Sequence, residues 1–203
     1  MNRVIFAAAS AAALLVASTA SAQSATVTIN GSVDAKCGVT AGSSTVSLAS
    51  DLTNSQALVR SAVTQEIATA LNGAAIIPFC NGVSNSVEVK RGVLARSGAT
   101  GGGLLGDFAQ YVRYNLDASI GNTLLDTTST DGATTGIGRF GGHNSASSTA
   151  THLRFAPAAV AGNAVASSGG SDTTSGNWSS LTDRRLAAGA YQGSVQVILT
   201  PGV

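Results

Sequence analysis

The chain has 203 residues, of which 10% are charged, with 11 Lys and Arg against 10 Asp and Glu. That balance, without a basic patch or a charge run, argues against nucleic acid as a partner. The length suits one domain with a real core, and 24 glycines beside 3 prolines leave a polar, largely uncharged surface.

In chain order, residues 1–22 read as a secretory signal peptide. Arg3 supplies a positive charge, residues 4–17 are apolar, and Ala20-Ser21-Ala22 is a small-residue cleavage site. The apolar stretch is shorter than the ~20 residues that a spanning helix needs. The mature chain is expected to begin at Gln23 and to be exported. The chain holds two cysteines, Cys37 and Cys80. An even count after a signal peptide indicates one disulfide in an oxidising compartment. Closing a loop of this size stabilises a fold by about 4 kcal/mol on the chain-entropy account. There is no CxxC and no Cys–His cluster, so no metal site is expected.

The stretch SATVTINGSVDAKC, residues 24–37, alternates without a break. Ala25, Val27, Ile29, Gly31, Val33, Ala35 and Cys37 are apolar or glycine, and every residue between them is polar. This is the pattern of a strand with one buried face. Such a strand at the head of the mature chain should be tied into a sheet, either its own or that of another molecule.

A brief alternation follows at 45–48. Residues 58–71 fit either one face of a helix (Leu58, Ala62, Val63, Ile67, Ala70, Leu71) or irregular strand and loop. The second reading is preferred because the remainder reads as β. Asn72-Gly73 signals a turn. Residues 74–80 form a buried strand in which Pro78 removes a ladder donor, placing it at an edge or a bulge. Residues 86–90 form a strand with Val87 and Val89 facing inward. Residues 98–106 are a glycine-rich surface loop that lacks the lysine and helix start of a phosphate-binding loop.

Residues 109–117 read as one strong strand, with Tyr111, Arg113 and Asn115 on one face and Val112, Tyr114 and Leu116 on the other. Short strands are expected at 122–125, near 137–140, and at 151–156 with Leu153 and Phe155 inward. Most of 126–151 and 158–180 reads as loop. The chain closes with a second alternation, in which Tyr191, Gly193, Val195, Val197 and Leu199 share one face and Pro201-Gly202 stops the run.

About seven short strands with turns between them and no confident helix indicate an all-β antiparallel sandwich of immunoglobulin-like size. No catalytic site is expected: His143 and His152 are the only imidazoles, and GxSxG, HExxH and paired-carboxylate motifs are absent. The protein is read as a non-enzyme without cofactors.

The run TVTINGSVDAKC, with Gly31 inside it and Cys37 at its end, resembles the start of a chaperone–usher pilin. Cys80, closing a strand and followed by SVEVK, falls where those pilins have their disulfide partner. YVRYNLDASIGNTLL and the terminal LAAGAYQGSVQVILTPGV are similar to segments of pilins of the spore coat protein U type. Many pilins end on an aromatic residue, whereas this chain ends Pro201-Gly202-Val203. The resemblance implies an incomplete immunoglobulin-like domain lacking its last strand (36–203), preceded by a donor-strand extension (23–35).

It also implies a periplasmic chaperone, an outer-membrane usher, and other copies of the chain or related pilins as partners. The product would be a surface pilus or fimbria serving adhesion and biofilm formation. Donor positions would be Ala25, Val27, Ile29, Gly31 and Val33, and the acceptor side Tyr191, Val195, Val197 and Leu199. Burying the apolar donor side chains would contribute about 6–10 kcal/mol gross. The alternative is a self-contained secreted adhesin or coat protein with a complete sandwich.

Overall fold

Antiparallel pairing dominates. The computed structural model describes residues 28, 30–99, 104–125, 134–142, 152–169 and 183–203. Among these, the residues up to 33 belong to one compact unit, Met1–Val33, and the rest to a second, Asp34–Val203. The expected signal peptide lies outside the described residues. No described helix is long and apolar enough to cross a membrane.

Among the described residues, the second unit contains four small sheets. β1 (Cys37–Thr40) pairs with β2 (Ile77–Cys80), setting Cys37 opposite Cys80 and Val39 opposite Pro78. β3 (Asn85–Arg91) lies between β8 (Thr135–Ile137) and β12 (Val195–Thr200). β4 (Leu94–Arg96) and β5 (Tyr111–Arg113) are flanked by β11 (Tyr191–Gln192) and β10 (Val165–Ser167). β6 (Leu116–Ile120) is the middle strand between β7 (Thr123–Leu125) and β9 (Leu153–Pro157).

β3, β6 and β9 bury alternate residues, and the sequence alternation marks β3 and β9 among them. In β3, Val87 and Val89 are buried, and in β6 Leu116, Ala118 and Ile120. β9 buries Leu153 and Phe155, and registers Ala118 on Phe155 and Ile120 on Leu153. These side chains form one core with Val112, Tyr114, Val63 and Ile67.

Four expectations are corrected. Residues 58–71 are not irregular strand: α1 spans Val63–Gly73. Val63, Thr64, Ile67 and Ala68 are buried, and the helix packs on β9. No side chain caps its N-terminus, so docking rather than capping decides the helix. Arg60 instead braces the first turn. Its guanidinium meets both Glu66 carboxylate oxygens at 2.7 and 2.8 Å, and its Nε donates to the Asp51 carbonyl at 2.6 Å.

Secondly, the run 109–117 is two strands, β5 and β6, in different sheets. Every residue from 109 to 116 is buried, so neither face marks the break. At the switch, Arg91 Nη1 donates to the Tyr114 carbonyl at 2.7 Å, and the Ala158 amide donates to that of Asn115 at 3.0 Å. Burial of Arg91 lowers its pKa to about 10, which leaves it charged at neutral pH.

Thirdly, 158–180 holds a strand, β10, whose Ala166 and Ser167 are buried against β5; their small side chains gave no alternation to read. Fourthly, the expected strand near 137–140 lies slightly earlier, at β8. Phe140 forms an isolated bridge with Cys80 instead.

α1 also closes the outer edge of β9. Asn72 Nδ2 donates to the Phe155 carbonyl and its Oδ1 accepts the Phe155 amide, both at 2.9 Å. The Leu153 amide donates to the Ile76 carbonyl at 2.9 Å. A side-chain amide here substitutes for a neighbouring strand. Asn72→Ala leaves both Phe155 backbone groups without this partner and is expected to lower stability by about 1–3 kcal/mol, read from the urea midpoint at unchanged m-value.

The Arg60 bond holds the Glu66 pKa below its ordinary value, opposed by partial desolvation. A depressed carboxyl contributes stability above its unfolded pKa and loses it as pH falls through the folded one. The melting temperature should therefore decline on acidification below about pH 4.3, the ordinary glutamate value. The decline should be shallower in Glu66→Gln, as followed by circular dichroism.

Candidate functional site: the β12 edge and the disulfide root

β12 is the last strand of the chain. It registers on β3 through Val195–Arg91, Val197–Val89 and Leu199–Val87. β3 is its one strand neighbour among the described residues. Val195, Val197 and Leu199 pack against the core yet are only half-buried, and Ile198, which breaks the alternation, is half-buried too. A central strand of the same fold, β3, buries its inward valines completely. β12 therefore has apolar side chains over the core that are not fully covered and, among the described residues, one backbone edge without a strand beside it. β1 approaches this strand as well.

Tyr191 is not in β12. It belongs to β11, opposite Arg96 of β4. Its hydroxyl donates to the Ala187 carbonyl at 2.8 Å. Burial raises the phenol pKa, with nearby Arg96 opposing the shift. The two strands are divided at Gly193, where an added Cβ would lie 2.8 Å from the Val93 carbonyl oxygen and 2.9 Å from Leu94 Cδ2. The Gly92 amide donates to the Ser194 carbonyl at 2.8 Å at the same level. The two crossing segments approach too closely for a side chain at residue 193. A glycine in mid-alternation is the sequence signal that could have revealed the crossing. Val195, Val197 and Leu199 thus share a strand, and Tyr191 anchors the turn that leads into it.

Of the donor positions, Gly31 and Val33 are exposed, Val33 at 85%. Residues 30–36 form no strand, and β1 begins at Cys37. A Cβ on Gly31 would meet nothing within 4 Å. Ala25, Val27 and Ile29 lie outside the described residues.

The segment entering β1 is fixed at its root. Cys37 and Cys80 form a disulfide across a directly opposed pair. The next residue, Asn81, accepts the Lys36 amide on Oδ1 at 2.5 Å and donates from Nδ2 to the Asp34 carbonyl at 3.1 Å. Its backbone amide donates to the Lys36 carbonyl at 3.0 Å. The chain end is held close by. Gly202 N donates to Asn85 Oδ1 at 3.3 Å, and Asn85 Nδ2 donates to the Gly82 and Gly138 carbonyls at 2.7 and 3.0 Å. The turn 81–85, which sequence reasoning treated only as a turn, thus ties residues 34–36 to the end of β12.

Among the described residues, no three His, Cys, Asp or Glu side chains come together. His152 is half-buried at the start of β9, with its Nε2 buried and unpartnered; His143 lies outside the described residues. An open trough beside β3 and β8 is lined by Val83, Ser84, Asn85, Ser86, Thr134, Gly136, Ile137 and Gly138, none of them titratable.

No known family, curated protein or solved structure matches the chain.

Replacing both cysteines by serine frees the root from its covalent tie. The expected loss is about 4 kcal/mol on the chain-entropy account, measured by urea unfolding of the oxidised protein and the double variant.

Proposed function

We propose that the chain is a structural subunit of a surface filament. It polymerises by adding its N-terminal extension as a strand to the β12 edge of the next copy. The observation that carries this reading is β12 itself: Val195, Val197 and Leu199 are half-covered over the core, and the strand has one neighbour among the described residues. The extension brings the matching chemistry, an alternation of apolar residues from Ala25 to Val33 in a unit separate from Asp34–Val203. Strand addition supplies ladder hydrogen bonds along the edge and apolar side chains for the exposed core. The donor and acceptor surfaces differ, so the contact is heterologous and propagates as a filament.

In this reading the domain is an incomplete immunoglobulin-like sandwich. The bond from the Tyr191 hydroxyl to a carbonyl four residues upstream supports it, because such sandwiches place a tyrosine of this kind at the entry to a late strand. A periplasmic chaperone would cover the β12 edge before assembly, and an outer-membrane usher would exchange it for the next subunit's extension. The filament would stand on the cell surface and serve adhesion and biofilm formation.

The test compares the exported mature chain, the same chain lacking residues 23–34, and Ile29→Asp. Unboiled denaturing gels and negative-stain micrographs are expected to show a ladder and filaments from the first alone. Monomers from all three, with the shortened chain merely less stable, would mean that the extension completes its own sandwich. The protein would then be a self-contained secreted adhesin or coat protein.

A further inference from the structure

The polymerisation reading leaves open what lies between two joined domains, and the root of the extension constrains the answer. From Asp34 onward the chain is held to the domain, first by Asn81 and then by the Cys37–Cys80 bond. Arg139 Nε fixes the other side of Asn81, donating to its carbonyl at 2.9 Å. The apolar alternation of the extension runs up to Val33, the residue immediately before this clamp. A donor strand that uses Val33 leaves no spacer at all. One that stops at Ile29 leaves residues 30–33, which span at most about 14 Å fully extended. In either register the domain that gives the strand lies against the domain that takes it.

Beside the polar groups of the root, three apolar residues of β1, β2 and the following turn are exposed. Phe79 is 42% exposed, Val39 48% and Val83 50%. Phe79 stands on the β1–β2 ribbon opposite Gly38. A Cβ on Gly38 would lie 2.5 Å from the phenyl Cε1, and one on Gly141 would lie 2.6 Å from the Phe79 Cβ. The residue is therefore seated between two glycines and held in place, while part of its ring faces solvent. A fixed aromatic on an exposed surface, beside a tether with little or no slack, has the character of an interface anchor.

We propose that Phe79 is a second contact between successive copies, packing on the rim of the domain that accepts the strand. The joint is then a braced one and the filament is stiff. This inference rests on the strand-addition reading above, and its partner is another copy of the chain.

The experiment uses three full exported chains: unaltered, Phe79→Lys, and one with Gly-Ser-Gly-Ser inserted between Val33 and Asp34. Lysine keeps a methylene stem over Gly38 and sets a charge at the contact. Gels report strand exchange, and micrographs report persistence length. All three are expected to give ladders. Filaments of the two altered chains are expected to lose about twofold or more in persistence length, because a Gly-Ser spacer is a flexible coil. Ladders with unaltered stiffness would overturn this inference and leave strand addition standing. Should Phe79→Lys fail to be exported, stiff filaments from the spacer chain overturn it equally. Absence of a ladder from the unaltered chain would overturn the strand-addition reading, and this inference with it.

Discussion

Backbone amides and carbonyls at strand edges must find partners, and this requirement governs the arrangement of the whole domain. Among the described residues its sheets have at most four strands, so most of those strands have an edge to settle. The solutions are individual. Asn72 supplies an amide in place of a strand beside Phe155. Arg91, a charged side chain inside the core, reaches the Tyr114 carbonyl where the chain leaves one sheet for another. Asn81 continues the β1–β2 ladder past the disulfide to Lys36 and Asp34. β12 has no comparable device among the described residues, although it crosses the same core. The proposed function follows from that contrast.

What the sequence disclosed depends on how many faces a segment buries. β3 and β9 each bury one face, so alternate residues carry the signal and Val87 and Phe155 could be placed inside from pattern alone. Residues 109–116 are buried on both faces, and period 2 loses its meaning there. At the break, Arg91 of β3 binds the Tyr114 carbonyl, an interaction without local trace. The helix was obscured in a similar way. Thr64 sits on its buried side and no residue caps its start, so local preference is nearly neutral and packing on β9 decides. Gly193 splits the terminal alternation because two backbones pass too close for a side chain, which a list of apolar residues does not express. Val195, Val197 and Leu199 were legible as a set, while Tyr191 proved to serve the turn.

The two surfaces of the proposed assembly converge on one short segment. The turn 81–85 follows the disulfide, holds Asp34 and Lys36 through Asn81, and holds Gly202 through Asn85. The residues of the extension and of β12 are far apart in sequence, yet their boundaries are set by two asparagines four positions apart. The hydrogen bonds of this turn keep residues 34–36 and the end of β12 in a fixed relation.

The pairing of Val197 with Val89 has a temporal consequence. β3 cannot acquire β12 until nearly the whole chain is present, and β4 must likewise wait for β11. Long-range antiparallel contacts of this kind place the domain among slowly folding topologies. During that interval the backbone edge of β3 that β12 covers stays open, the sort of transient edge through which chains aggregate. The Cys37–Cys80 closure, by contrast, needs only the first half of the chain. Folding molecules would therefore pass through a stage that is covalently tied at one end and unprotected at the other.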